Sequence, residues 1–164
     1  IAAALRLQRE FGSRLVLDGA ADAHLTLDAV EDAGVPVFVH PTMYRAASTG
    51  GGLETENLTM TLPAQLAAEG IPFAFQSGFE SYVPKTRVVL FEAAMALAYG
   101  LDEEVARTAL TIGAATLLGV DDRLGSIEAG KDADLALYDG DPFEHVTRCV
   151  ATVIDGEVVS RTVR

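Results

Sequence analysis

LGSIEAGKDADLALYDGDPFEHVTRCVATVIDGEVVS, residues Leu124 to Ser160, alternates short apolar runs with Gly and Asp. Ala133 to Tyr138 is a compact, mostly apolar run between Lys131-Asp132 and the turn signal Asp139-Gly140-Asp141-Pro142. Cys149 to Ser160 forms two apolar runs around Asp155-Gly156. An Asp-Gly pair between runs rich in Val and Ile predicts a hairpin, because a tight hairpin turn needs positive φ and Gly tolerates it. The chain is therefore expected to close with a small antiparallel sheet. Gly125 and Gly130 are expected to frame a turn that lets Ser126-Ile127-Glu128 run as a short strand, with Lys131 and Asp132 in solvent.

Upstream the rhythm changes. Ile1 to Phe11 places Ile1, Ala4, Leu5 and Phe11 near helical spacing among charged residues and is stopped by Gly12. Arg14 to Leu17 reads as a strand, Asp18 to Ala21 as its turn, Asp22 to Ala33 as a helix stopped by Gly34, and Val35 to Val39 as the next strand. After a long loop from Thr42 to Glu56, which holds Gly50-Gly51-Gly52, comes a helix from Leu62 to Glu69. Gly70 and a third strand, Ile71 to Phe75, follow. Helical blocks occupy Thr86 to Tyr99, Asp102 to Leu110 and Gly113 to Leu118. Near-continuous apolar strands alternating with helices predict βα units of a parallel sheet covered on both faces.

The chain has 164 residues, a hydrophobic share of 49% and a formal net charge of −12. That hydrophobic share supports a buried core, and the charge argues against nucleic acid or an anionic membrane surface as partner. No apolar run approaches the roughly 20 residues that span a bilayer. The one cysteine, Cys149, cannot form an intrachain disulfide, and its apolar strand suggests a buried, inert thiol. The chain opens on Ile1 in a helix-like stretch, without Met or a signal peptide, as a piece of a longer protein would; a cytoplasmic setting is the expectation.

The motif Gly125-Ser126-Ile127-Glu128-Ala129-Gly130-Lys131-Asp132-Ala133-Asp134-Leu135, with Asp141-Pro142 and Val153-Ile154-Asp155-Gly156, resembles the C-terminal signature of the amidohydrolase superfamily. The likeness is closest to its imidazolonepropionase-like and prolidase-like branch. It extends upstream through Gly100-Leu101 and Ala109-Leu110-Thr111 to Leu117-Leu118-Gly119-Val120. The resemblance implies an α/β fold in which residues 1–120 supply the last three βα units of a (β/α)8 TIM-type barrel, and residues 121–164 the C-terminal strands of a companion β-sandwich. It also implies a hydrolase acting on an amide or other C–N bond of a small molecule, with a divalent metal, zinc above all. The alternative is a non-catalytic relative that binds a ligand or serves assembly.

In such a barrel the site is built at the C-terminal ends of the strands. That rule selects His40 as the catalytic candidate, delivered by Val35 to Val39 and held extended by Pro41. It selects Asp18, Gln76, Glu80 and Lys85 as substrate-binding candidates. Asp22 suits either the site or the N-cap of the helix that follows it. His24, on that helix, reads as a surface or structural residue. The resemblance implies a metal-binding Asp after the eighth strand, yet Gln76-Ser77-Gly78 puts Gly78 near that place. The chain has no His-x-His pair, so its metal ligands are unknown. Open strand edges further imply pairing with a second copy, or with the rest of the same protein.

Overall fold

The computed structural model describes residues 1–39, 57–77 and 88–162. Helices α1 (Ala2–Phe11), α2 (Leu27–Asp32) and α3 (Leu62–Ala68) alternate with strands β1 (Leu17–Asp18), β2 (Val37–Val39) and β3 (Phe73–Phe75). Helices α4 (Val89–Ala98), α5 (Glu103–Leu110) and α6 (Ile112–Leu118) follow, and then β4 (Leu135–Tyr138), β5 (Cys149–Ile154) and β6 (Glu157–Arg161). The first three strands form a parallel sheet in the order β1-β2-β3, and the last three an antiparallel sheet in the order β4-β5-β6. The α/β class with both sheet types is as the sequence indicates.

The parallel strands are shorter than the apolar runs that announce them. Gly34-Val35-Pro36-Val37 and Gly70-Ile71-Pro72-Phe73 use one local device. The Val35 N–H donates back to Val30 O at 3.3 Å, and the Ile71 N–H to Leu66 O at 2.9 Å, closing each helix in a Schellman turn. Val35 and Ile71 are thus buried as the apolar stoppers of α2 and α3, and neither belongs to a strand. Pro36 and Pro72 have no N–H for the ladder, but their carbonyls accept from Leu17 N at 2.9 Å and Val37 N at 3.0 Å. The same closure recurs at Leu101 after α4 and at Val120 after α6.

Other expectations need correction. The helix read over Asp22 to Ala33 splits into a 3-10 turn at Ala23–Leu25 and α2, with Thr26 at φ −142° between them. Ser126 to Glu128 forms no strand. Lys131 and Asp132 are partly buried: Lys131 Nζ donates to Ser126 Oγ at 2.6 Å, and Arg123 Nη2 donates to Asp132 Oδ2 at 2.5 Å. These bonds turn the loop on itself in place of a strand. Cys149 is exposed, because the sheet that carries it is not covered.

Strand alternation divides the parallel sheet into two faces. Leu17, Val37, Val39, Phe73 and Phe75 share one face by register and belong to the core, with Leu5, Val30, Leu66, Ala93, Ala96 and Ala106 from the helices. Asp18, Phe38 and Ala74 share the other face. Among the described residues no buried one lies beyond residue 120, so β4–β6 have no core of their own. They meet the helical layer through Phe143, which packs on the core under the Arg107 guanidinium, 5.8 Å from its ring centroid.

Candidate functional site at the ends of the parallel strands

Asp18 is the last residue of β1, and Gln76 is the first residue beyond β3. Register sets Asp18 level with Phe38 and Ala74, so Gln76, two residues past Ala74, projects on the same face as Asp18. The Gln76 N–H donates to Val39 O at 2.8 Å, which carries the ladder one residue past the strand and fixes its backbone. Strands lie about 4.8 Å apart, so the two residues face each other across the whole width of β2. Their side chains close that gap, and the Gln76 Nε2 amide donates to Asp18 Oδ1.

Beyond Asp18 the chain turns sharply. Gly19 N donates to Phe38 O at 3.0 Å and Ala20 N to Asp18 O at 3.0 Å, with Ala20 at φ 42°. This turn and Ile1 enclose a cavity of about 230 Å³ lined by Asp18 and Asp22 among others. Asp22 stands at the N-cap position of the 3-10 turn, but its side chain makes no capping bond. Its Oδ1 is buried without a hydrogen-bond partner. The capping role expected for Asp22 is therefore corrected: an N-cap residue needs extended backbone to aim its oxygen at the helix amides, and Asp22 has φ −88° and ψ 7°. Asp102 shows the contrast, at φ −69° and ψ 143°, accepting from Glu104 N at 2.9 Å and Val105 N at 3.2 Å.

His24 bonds the Ala21 carbonyl oxygen through Nδ1 at 3.1 Å, a structural role. The structure thus brings Asp18 and Gln76 together and sets Asp22 beside Asp18. His40, Glu80 and Lys85 lie outside the described residues, as does Gly78. Sequence reasoning passed over Glu92, fully buried in α4. Its signal was a lone acid inside the apolar run VLFEAAMALA, since a carboxylate is rarely buried whole.

A second cavity, of about 390 Å³, opens at the opposite end of β3, between Ile71-Pro72-Phe73 and the α5–α6 pair. Its lining includes Ala67, Val105, Ala109, Ile112 and Leu117 and is almost wholly apolar. It offers shape and no reactive group.

Residues 100–160 match the model of an amidohydrolase family, a span that contains the whole Leu124 to Ser160 signature. A solved amidohydrolase from Thermotoga maritima superposes with a TM-score of 0.88 at 34% identity, over 98% of this chain and 40% of its own. The chain belongs to the amidohydrolase superfamily. The amidohydrolase tasK of Hapsidospora irregularis is 41% identical over 68 residues, 42% of this chain and 7% of that protein. An adenosine deaminase from Xanthomonas campestris with bound zinc shares the fold, with a TM-score of 0.62 at 23% identity, over 88% of this chain and 36% of its own. This amidohydrolase chain thus spans well under half the length of each of these relatives.

The family generally uses a divalent metal. A zinc site needs about three protein ligands besides water. Among the described residues no three His, Cys, Asp or Glu side chains converge on one point. Among the described residues the donors at the strand ends are two carboxylates, Asp18, which accepts from Gln76, and Asp22, and one neutral amide that turns its N–H toward Asp18. These residues do not fit a metal centre.

Proposed function

We propose that this chain is the C-terminal part of a hydrolase that cleaves an amide or related C–N bond in a small molecule. Residues 1–120 would supply the last three βα units of a (β/α)8 barrel, and residues 121–164 the C-terminal strands of a β-sandwich. Three observations support the barrel reading: the parallel order β1-β2-β3, the packing of the helices against the face that carries Leu17, Val37, Val39, Phe73 and Phe75, and the match to 40% of a longer amidohydrolase. The rest of the same protein, or a second copy, would then cover β4–β6, which hold no buried residue of their own.

The observation that carries the site is the Gln76–Asp18 bond at the C-terminal ends of the strands, where barrels of this type assemble their chemistry. Asp18 and Gln76 bind and orient substrate, joined by Glu80 and Lys85. His40, which ends the run Val35 to Val39, is the residue assigned to proton transfer. Expression of the longer protein and assay against a panel of N-acyl amines and amino-heterocycles tests the reading. Hydrolysis that His40→Ala abolishes without lowering the melting temperature supports it. Unchanged turnover in that variant removes His40 from the mechanism, and a metal-loaded longer protein inert on the whole panel removes the hydrolase.

A second reading, a non-catalytic ligand-binding relative, draws on the sequence: Gly78 stands near the place where the resemblance implies a metal-binding Asp, and glycine has no side chain to bind a metal or relay a proton. Ligand binding without turnover in the same panel would select it.

A further inference from the structure

We infer that Asp18 and Gln76 are a metal-free acceptor pair that receives a cationic, donor-bearing group of the substrate, an ammonium or amidinium. The inference deepens the substrate-binding role proposed above and rests on it.

The pair's hydrogen-bond inventory sets the class of guest. Gln76 Nε2 spends one N–H on Asp18 Oδ1. Reversing the amide would set Oε1 against a carboxylate oxygen, so the bond fixes which end of the amide faces the pocket. What remains is Asp18 Oδ2 with its lone pairs, Gln76 Oε1 with two more, and a single N–H. The free capacity is dominated by acceptors, and one of them carries charge. Such a pair is complementary to a group with several N–H donors and a positive charge, and repels a carboxylate or phosphate.

The same geometry disfavours a cation such as zinc. A metal bound to Asp18 Oδ1 would have to displace the Gln76 N–H that now points at it. No three His, Cys, Asp or Glu side chains stand ready to complete a site among the described residues. Asp18 is itself exposed and Gln76 half-buried, so a guest reaches the pair without any rearrangement of the core. The cavity beside Asp18 gives the guest room, at about 230 Å³.

The test uses the full-length protein with its glutamine side chains labelled with ¹⁵N. Guanidinium and methylammonium ions are the probes, acetate is the control, and Zn²⁺ is titrated separately, with bound metal counted by elemental analysis. The expected result is that guanidinium moves the Gln76 side-chain amide resonances and acetate does not. Asp18→Asn should weaken the guanidinium response about tenfold, as loss of a charge-assisted bond does. Metal stoichiometry in Asp18→Asn and Gln76→Ala should stay at the wild-type value. Loss of bound zinc in Asp18→Asn at an unchanged melting temperature would overturn the inference, as would an acetate response equal to that of guanidinium. Should Asp18→Asn unfold, the guanidinium and acetate titrations of the wild-type Gln76 amide and the metal count in Gln76→Ala keep the inference open to refutation. These titrations need no turnover, so their failure is separable from failure of the hydrolase assay.

Discussion

A Cβ built on Gly125 would lie 2.7 Å from Ile112 Cα and 2.8 Å from Ala115 Cβ. The signature loop is therefore pressed against the first turn of α6, backbone to backbone. Gly125 also sits at φ 92°, where an L side chain is strained. Gly130, the other glycine of the motif, has a similar φ of 96° but nothing within 4 Å of its would-be Cβ.

The two glycines should therefore separate backbone strain from contact. Gly130→Ala is expected to cost about 1–2 kcal/mol, the left-handed penalty alone. Gly125→Ala should cost about 2–5 kcal/mol, because overpacking against a helix backbone that cannot yield adds to the same penalty. Urea midpoints of the two variants decide it. Equal losses would mean that the loop moves off α6 freely.

The hairpin makes a local prediction. Asp155 at φ 51° and Gly156 at φ 80° form a two-residue turn between Ile154 and Glu157, with both central residues in the left-handed region. The turn is tied to the segment that leads into β4: Asp155 N donates to Asp134 Oδ1 at 2.9 Å and Gly156 N to Ala133 O at 3.1 Å. Gly156→Val should cost about 1–2 kcal/mol, while Asp155→Asn, which suits the same φ, should be close to neutral. Amide exchange at residues 155 and 156 checks the anchoring. Asp134→Ala should speed exchange at Asp155 more than at Gly156.

What the residues alone disclosed follows from which forces are local. The Asp155-Gly156 turn was legible because positive φ is a property of two residues. The three parallel strands were legible as apolar runs, but their starts were not. Whether Val35 and Ile71 pair in the sheet or close a helix depends on a Schellman bond five residues back. Cys149 was misread because burial is a property of what covers a strand, and nothing in β5 itself says that its faces are open. At the site, strand direction placed Asp18 and Gln76 at one end of the sheet. That they touch needed the β1-β2-β3 order, which no local pattern contains. The orphaned Asp22 oxygen was hidden for the same reason, since its residue type fits an N-cap that its backbone then forbids.

Glu128 carries the pH prediction. Ser126 Oγ donates to Glu128 Oε1 at 2.5 Å, and Lys131 Nζ lies 3.6 Å from the same oxygen while donating to the Ser126 hydroxyl. The serine bond first, and the lysine charge second, hold the Glu128 carboxyl below its usual range. A carboxyl lowered in the folded state adds stability above its unfolded value of about 4.3, and that stability is lost as pH falls through the lower folded value. A ¹³C carboxyl titration should show a depressed midpoint for Glu128. Ser126→Ala should restore more of the shift than Lys131→Met. A midpoint that ignores Ser126→Ala would contradict the hydroxyl's place in the trio.

Arg14 offers a test of how the first and last parts of the helical layer are joined. Its Nη2 donates to Leu117 O at 2.7 Å across 103 residues of sequence, from the segment before β1 to the end of α6. Leu117 carries one of the last carbonyls of α6, which have no intrahelical partner, and a cation there also meets the negative end of the helix dipole. Arg14 is exposed, so water screens the charge, and its removal in Arg14→Ala is expected to cost about 0.5–1.5 kcal/mol. Arg14→Lys keeps the charge but loses the planar fork, so it should recover only part of that loss. Hydrogen exchange localises the effect: amides in the last turn of α6 should exchange faster in Arg14→Ala, while those of β5 and β6 stay as they were. A uniform rise across both sheets would show instead that Arg14 governs global unfolding, and an unchanged pattern would mean that the bond contributes nothing to holding the end of α6 against the segment that leads into β1.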